Sequence, residues 1–305
     1  MYSRMNTIYM PLNVIIAGGR SLASAPPDPF VIFGIVNATP DSFFDGTGTI
    51  TPAAAIARAR RVWKQGAHVL DIGGESTRPH ALPVPPAEEL ARVLPVLRAA
   101  RAFAPSPFQT APILSVDTRH AETAAAVLAE GAHIINDVSG CADPAMPAVL
   151  ALHKPGYVLT HAKDNPCYAD VVGEIRDFFA RALSCLTAAG LPEDHVLIDP
   201  GIGFGKRLEH NLAILRDLPR LLSLGRPLLL GLSNKSLFGD LLGLQPGRRG
   251  PATQTLTALT YAQGVAFHRV HDARGAREAL MVSHTFLAAQ ASVPASTSGG
   301  HPYVR

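Results

Sequence analysis

Short runs of aliphatic and β-branched residues alternate along the chain with longer stretches in which apolar positions recur every three or four residues. The first pattern is that of a buried strand and the second that of an amphipathic helix. The pair recurs eight times, predicting strands at 31–36, 69–72, 113–116, 134–136, 157–160, 196–198, 228–230 and 266–270. Helices are predicted between them, most plainly over 52–65, where Thr51 stands as a cap and Pro52 takes the first helical position. Another is predicted over Ala121–Ala129, stopping short of Gly131.

Near-continuous apolar strands covered by helices imply a parallel α/β sheet, either closed into a barrel or left open and doubly wound. Eight units favour closure into a single (β/α)8 TIM barrel. Almost every predicted strand is followed at once by a polar or Gly-rich cluster: 37–41, 73–78, 117–119, 137–140, His161, 199–201, 233–235 and 271–272. In a closed barrel these strand ends converge on one face, where the chemistry of the fold sits. A length of 305 residues allows one domain or two, since such a barrel takes about 250 residues as one unit. No linker splits the middle, so 31–290 reads as the barrel. Residues 1–30 read as an N-terminal extension, and 291–305, rich in Ser, Pro, Gly and Ala, as a disordered tail.

With 47% hydrophobic and 17% charged residues, the chain can bury a large core. Its longest aliphatic stretch, near 227–232, falls far short of the roughly 20 residues of a membrane helix, so no membrane association is expected. The net charge of +3 is too small for a nucleic-acid footprint, and any bound anion must be held locally. Cys141, Cys167 and Cys185 form no C-x-x-C pair, which argues against a disulfide framework or structural zinc and for a reducing cytoplasm. Arg4, the apolar run 8–17 and Ala23-Ser24-Ala25 imitate a secretory signal, but Pro11 and Asn13 interrupt its apolar centre.

The segment from Asp199 to Lys206 invites a nucleotide-loop reading, yet its glycines miss both the P-loop and the dinucleotide spacing, and Arg207 stands where Ser or Thr is needed. The glycines read instead as a tight loop that lets Asp199 face the mouth, with Phe204 as an aromatic wall. There remain Asn37, Asp117, Asn136, Asp199, Lys235, Arg269 and His271 at strand ends. Each Asp or Asn alone could be a helix cap. Together, Asp117, Asn136 and Asp199 suit a flat heterocycle carrying N–H and amino groups, while Arg269 and His271, two apart on a strand, point the same way as an anion clamp. His268 falls on the opposite parity and reads as helix-facing; His68, His133 and His195 precede strands and read as surface or bottom-face residues.

Ordered blocks at these strand ends resemble dihydropteroate synthase over roughly residues 31–287: 34–43 (Gly-Ile-Val-Asn-Ala-Thr-Pro-Asp-Ser-Phe), 71–79 (Asp-Ile-Gly-Gly-Glu-Ser-Thr-Arg-Pro), 115–118, 134–137, 199–206 and 269–272. Two blocks depart from the pattern. Asn234 precedes Lys235 where the family usually has Arg, and 161–166 is a loose version of the fifth-strand loop.

The resemblance implies an enzyme, a transferase that condenses 6-hydroxymethyl-7,8-dihydropterin diphosphate with 4-aminobenzoate, giving 7,8-dihydropteroate and diphosphate in folate biosynthesis. It assigns the pterin diphosphate to Thr77, Asp117, Asn136, Asp199, Lys235, Arg269 and His271, and the aminobenzoate to Phe43, Thr77, Arg78, Pro79, Phe204 and Ser236. Mg2+ is implied with Asn37 as its ligand, a single amide suiting a metal that takes its other oxygens from water and phosphate. Asp117, Lys235, Asp45 and Arg78 are the implied catalytic residues, Asp117 stabilising positive charge on the pterin methylene as diphosphate leaves. A homodimer is expected on the same ground. A pterin-binding methyltransferase barrel would share the pterin acids but needs neither the anion clamp nor the 77–79 block. A non-catalytic pterin-binding paralogue would share the pocket without turnover.

Overall fold

The computed structural model describes residues 13–24, 28–39, 51–76, 81–163 and 167–291. Described residues begin with a small antiparallel hairpin, β1 (Asn13–Ile16) and β2 (Arg20–Ala23), turned by a short 3-10 segment containing Gly18 and Gly19. Eight parallel strands follow: β3 (Val31–Asn37), β4 (Val69–Gly73), β5 (Ile113–Asp117), β6 (Ile134–Asp137), β7 (Gly156–Thr160), β8 (Val196–Asp199), β9 (Leu229–Leu230) and β10 (Phe267–Val270). Their order is β8-β7-β6-β5-β4-β3-β10-β9, and a bridge between Ile198 and Leu228 joins the two ends. The sheet is therefore a closed (β/α)8 barrel, as the eight-fold pattern predicts.

The outer layer consists of α1 (Pro52–Lys64), α2 (Pro86–Arg101), α3 (Ala121–Ala129), α4 (Met146–His153), α5 (Val171–Ala189), α6 (Leu208–Arg216), α7 (Leu218–Leu222), α8 (Leu237–Leu242), α9 (Gly250–Tyr261) and α10 (Ala273–Ala291). The Thr51 hydroxyl caps α1 by accepting from the Ala54 N–H, and Pro52 costs nothing at a position whose N–H has no helical partner. Predicted and observed boundaries differ by a residue or two. Gln65 is the cap of α1 rather than its last turn, β9 keeps only Leu229 and Leu230 in its ladder, and residues 292–305 of the predicted tail lie outside the described residues.

Strand parity divides the core in two. Outward residues such as Ile32, Leu70, Leu114, Ile135, Leu159, Ile198 and Val270 pack under the helices. Inward residues Val31, Phe33, Val69, Ile134, Val158, Leu197, Leu229 and Phe267 fill the lower barrel, sealed from beneath by Val14, Ile16 and Leu22 of the hairpin. His68 and His195 lie on this bottom face but are buried rather than on the surface. His68 Nδ1 accepts from the Ile32 N–H while Nε2 meets Asp28 at 3.1 Å, and His195 Nδ1 faces the Pro155 carbonyl at 3.0 Å. His133 is half-buried, its Nδ1 accepting from the Leu114 N–H. His268 faces outward and is fully buried, Nε2 donating to the Val265 carbonyl at 3.0 Å.

Candidate active site

Two residues beyond the apolar floor, the inward face turns polar. Asp71, Ser115, Asn136, Thr160, Asp199 and Arg269 follow Val69, Ile113, Ile134, Val158, Leu197 and Phe267 at strand spacing, and Asn37, Gly73 and Asp117 stand at the strand ends above. Gly231, after β9, borders this layer: a Cβ there would make ordinary contact with Asp199 Oδ2 at 3.8 Å and Arg269 at 4.0 Å.

Arg269 occupies the centre. Its Nε donates to Asp71 Oδ2 and its Nη2 to Asp117 Oδ2, each at 2.6 Å. Asp71, fully buried, also accepts from the Ser115 hydroxyl at 2.5 Å and from Asn136 Nδ2 at 3.0 Å. Because a carboxylate only accepts, the Asn136 amide is fixed with its nitrogen toward Asp71, leaving its oxygen for another partner. Burial pushes the Asp117 carboxyl up to about 7, with Asp71 reinforcing the rise and Arg269 opposing it. Burial works against the charge of Arg269, but Asp71 and Asp117 outweigh it and hold the guanidinium firmly protonated.

Asp199 and Lys235 form the other side. Burial raises the Asp199 carboxyl even though the Gly201 N–H donates to its Oδ1 at 2.7 Å. Burial brings Lys235 down to about 8, Asp199 resisting, and its Nζ sits 4.1 Å from the centre of the Phe204 ring. The loop carrying Phe204 is tight for a steric reason. A Cβ at Gly201 would strike the His161 carbonyl at 2.0 Å, one at Gly205 would strike the Lys163 carbonyl at 1.3 Å, and both residues have positive φ. Lys206 locks the same pair of loops, its Nζ donating to the carbonyls of His161 at 3.0 Å and Phe204 at 2.9 Å. The glycine motif is thus a loop interlock rather than a phosphate cradle.

His271 lies just past β10, its Nδ1 2.9 Å from the Ser233 hydroxyl. It lines a cleft of about 220 Å³ with Ser233 and Asn234, between Arg58 and Arg61 of α1 and Thr253 and Gln254 of α9, and none of the residues bonded to Arg269 lines that cleft. Asn234 adopts φ 58°, a left-handed conformation that Asn tolerates better than most residues. Its carbonyl accepts from Arg249 Nη1 at 3.0 Å and its N–H donates to Thr253 Oγ1 at 3.3 Å. Ser236 is exposed at the rim, immediately before the six-residue α8. Asn37 is half-buried at the end of β3. Phe43, Asp45, Thr77, Arg78 and Pro79 lie outside the described residues.

Beside the segment leading to residue 77, ligand atoms of Glu75, Glu89 and His120 approach within 4.8 Å of one another. Glu89 Oε2 accepts from Thr118 at 2.7 Å and from His120 Nδ1 at 3.1 Å, and Arg119 pairs with both oxygens of Glu75. These contacts tie the ends of β4 and β5 to α2.

Asp71, Ser115 and Lys206 are the residues that reading strand ends misses. Asp71 left a signal: a lone carboxylate inside Val69-Leu70-Asp71-Ile72, a strand buried on both faces, requires an internal partner.

The sequence model of a family described as pterin binding enzyme matches residues 33–271. A dihydropteroate synthase of Synechocystis is 40% identical over 250 residues, covering 79% of this chain and 84% of its own. That of Mycobacterium leprae is 37% identical, covering 85% and 94%. Among solved structures, the Xanthomonas albilineans dihydropteroate synthase with 4-aminobenzoic acid superposes with a TM-score of 0.82 at 39% identity, covering 93% of this chain and all of that one (100%). The same enzyme with 7,8-dihydropteroate gives 0.79 at 38% identity, covering 92% and 100%.

Proposed function

The chain belongs to the pterin-binding enzymes and, among them, to the dihydropteroate synthases, and from that membership we propose how its barrel mouth divides the work. It is a transferase of folate biosynthesis that joins 6-hydroxymethyl-7,8-dihydropterin diphosphate to 4-aminobenzoate, forming 7,8-dihydropteroate and releasing diphosphate.

Asp117, Asn136, Asp199 and Lys235 receive the pterin. Its ring N–H and amino groups need acceptors in a site that strips them of water, and Asp117, Asp199 and the free oxygen of Asn136 supply these on the inward face of the barrel. Arg269 and His271 take the diphosphate, with Thr77 and Asn37 contributing by resemblance. The observation that carries this assignment is the inward polar layer in which Asp71, Asn136, Asp117 and Arg269 are already joined by hydrogen bonds.

The donor set near the diphosphate position suits Mg2+. The Asp71 and Asp117 carboxylates are engaged by Arg269, so Asn37 offers a neutral oxygen, appropriate to an ion that keeps water and takes phosphate oxygens. When bound, the ion would add to the positive field that favours departure of diphosphate.

In the reaction the methylene C–O bond breaks, its electron pair leaving with diphosphate, and the amine of aminobenzoate supplies the pair for the new C–N bond and then loses a proton. Asp117 stabilises the positive charge that develops on the pterin methylene, while Arg269 and His271 stabilise the charge on the departing group. Lys235 and Phe204, stacked at 4.1 Å, flank the aminobenzoate ring, and Ser236 at the rim meets its carboxylate. By resemblance Phe43, Asp45, Thr77, Arg78 and Pro79 contribute to aminobenzoate binding, and exclusion of water as a competing nucleophile is what that pocket must achieve.

We read the enzyme as a homodimer. Leu259 of α9 and Val282 and Phe286 of α10 are 56%, 72% and 61% exposed on two helices that pack together, which supports association through that face. The free thiols of Cys141, Cys167 and Cys185 support a reducing, cytoplasmic setting. Among the described residues no helix is long and apolar enough to cross a membrane.

Calorimetric titration with 6-hydroxymethyl-7,8-dihydropterin tests the pterin assignment. Asn136→Ala and Asp199→Asn should each weaken binding, and wild-type affinity in both would remove this layer as the pterin site.

A further inference from the structure

We propose that the hydroxyl of Thr160 is a further hydrogen-bonding contact to the pterin ring, an inference that rests on the reading of the inward polar layer as the pterin site. Thr160 ends β7, the strand between β6, which carries Asn136, and β8, which carries Asp199. It stands opposite Asp199 in the ladder. Val158, two residues earlier, belongs to the inward apolar floor, so Thr160 points into the barrel at the level of the polar layer.

Its environment explains why the hydroxyl matters. Thr160 is 1% exposed, and its Oγ1 is buried without a hydrogen-bond partner. The residues on either side each have one polar atom engaged within the protein: Asn136 Nδ2 by Asp71 and Asp199 Oδ1 by the Gly201 N–H. Thr160 has both its donor and its acceptor capacity left over. As packing, a β-branched residue is all this strand position requires, and Val would supply the same shape without a polar atom to strip of water. A buried hydroxyl that nothing in the protein satisfies, flanked by two ring-binding residues, fits a partner that arrives with the ligand. Being both donor and acceptor, it can serve a ring nitrogen or an N–H of the pterin edge, and so favours the heterocycle over an aromatic ring of equal size.

Thr160→Val and Thr160→Ser separate the hydroxyl from the shape. With 6-hydroxymethyl-7,8-dihydropterin as the calorimetric probe, Thr160→Val should lower affinity about tenfold while keeping a melting temperature no lower than wild type. Thr160→Ser should stay within about threefold of wild type, because it retains the group that binds. Unchanged affinity in Thr160→Val, with Asn136→Ala impaired, would overturn the role of the hydroxyl and leave the pterin site standing. Failure of the wild type itself to bind the dihydropterin would overturn both readings together.

Discussion

Arg269 donates to Asp117 at 2.6 Å, although the proposed function gives the two residues opposite ends of the substrate, the diphosphate and the pterin. Asp71 holds the same guanidinium at 2.6 Å through its Nε. Under that proposal the pterin would claim Asp117 as the diphosphate claims Arg269, and a ligand that brings only one end would strand the other charge in a buried layer.

Arg269→Ala should abolish tight diphosphate binding, measured calorimetrically with Mg2+, because no other described cation reaches both Asp71 and Asp117. The change also leaves two buried carboxylates unpaired, so urea unfolding should show a loss of about 3–5 kcal/mol at neutral pH. His271→Ala, which leaves the Arg269 bonds to Asp71 and Asp117 in place, should weaken diphosphate binding with a smaller loss of stability.

Asp117 supplies a pH signature. With its carboxyl near 7, the fraction able to accept two pterin donors falls as pH drops through 7. Pterin affinity should weaken over that range by up to about tenfold per pH unit, and Asp117→Asn should bind weakly with no such dependence. The stability sign runs the opposite way. The folded group keeps its proton up to about 7 while the unfolded one loses it near 3.8, so stability relative to Asp117→Asn should decline as pH rises from 4 to 7. Single-turnover bond cleavage in Asp117→Asn should slow by more than pterin binding weakens.

At the barrel bottom, Asp28 accepts from Arg277 at 2.5 Å and meets His68 at 3.1 Å. Burial opposes its ionisation, but these partners prevail and bring the carboxyl down to about 2. The resulting stability is complete above the ordinary carboxylate value and is lost as pH falls from about 4 toward 2. Asp28→Asn should cost roughly 1–2 kcal/mol at pH 6, with the difference shrinking toward zero near pH 2 in an acid-unfolding series.

Asn234 stands where the family usually has Arg, and its φ of 58° gives the departure a local reason. Asn234→Arg should cost about 1 kcal/mol of stability through the left-handed backbone. Arg58 and Arg61 line the same cleft, so the gain in positive field is modest. The KM for aminobenzoate should fall no more than roughly fivefold at low salt, and the gain should shrink at high salt. Steady-state kinetics at two ionic strengths check both parts.

The barrel was legible because its strands are buried on both faces and its helices on one, so residue periodicity reports the layers directly. The polar cluster after Asp117, the Asn136 position and the parity of Arg269 followed from that pattern. The hairpin over residues 13–23 did not, since Val14, Ile16 and Leu22 are too few apolar positions to announce two strands; what makes them strands is the barrel floor they cover. Nor could periodicity show that Arg269 rests on Asp117. That pairing joins residues 152 positions apart and exists only once the barrel has closed.

The stoichiometry of the two products decides whether this barrel mouth carries synthase chemistry. With 6-hydroxymethyl-7,8-dihydropterin diphosphate, 4-aminobenzoate and Mg2+, the purified protein should release diphosphate and form dihydropteroate in equal amounts, both slowed in Asp117→Asn and Arg269→Ala. Dihydropterin binding without dihydropteroate formation, or diphosphate release uncoupled from it, would contradict the assignment of synthase chemistry to this barrel mouth.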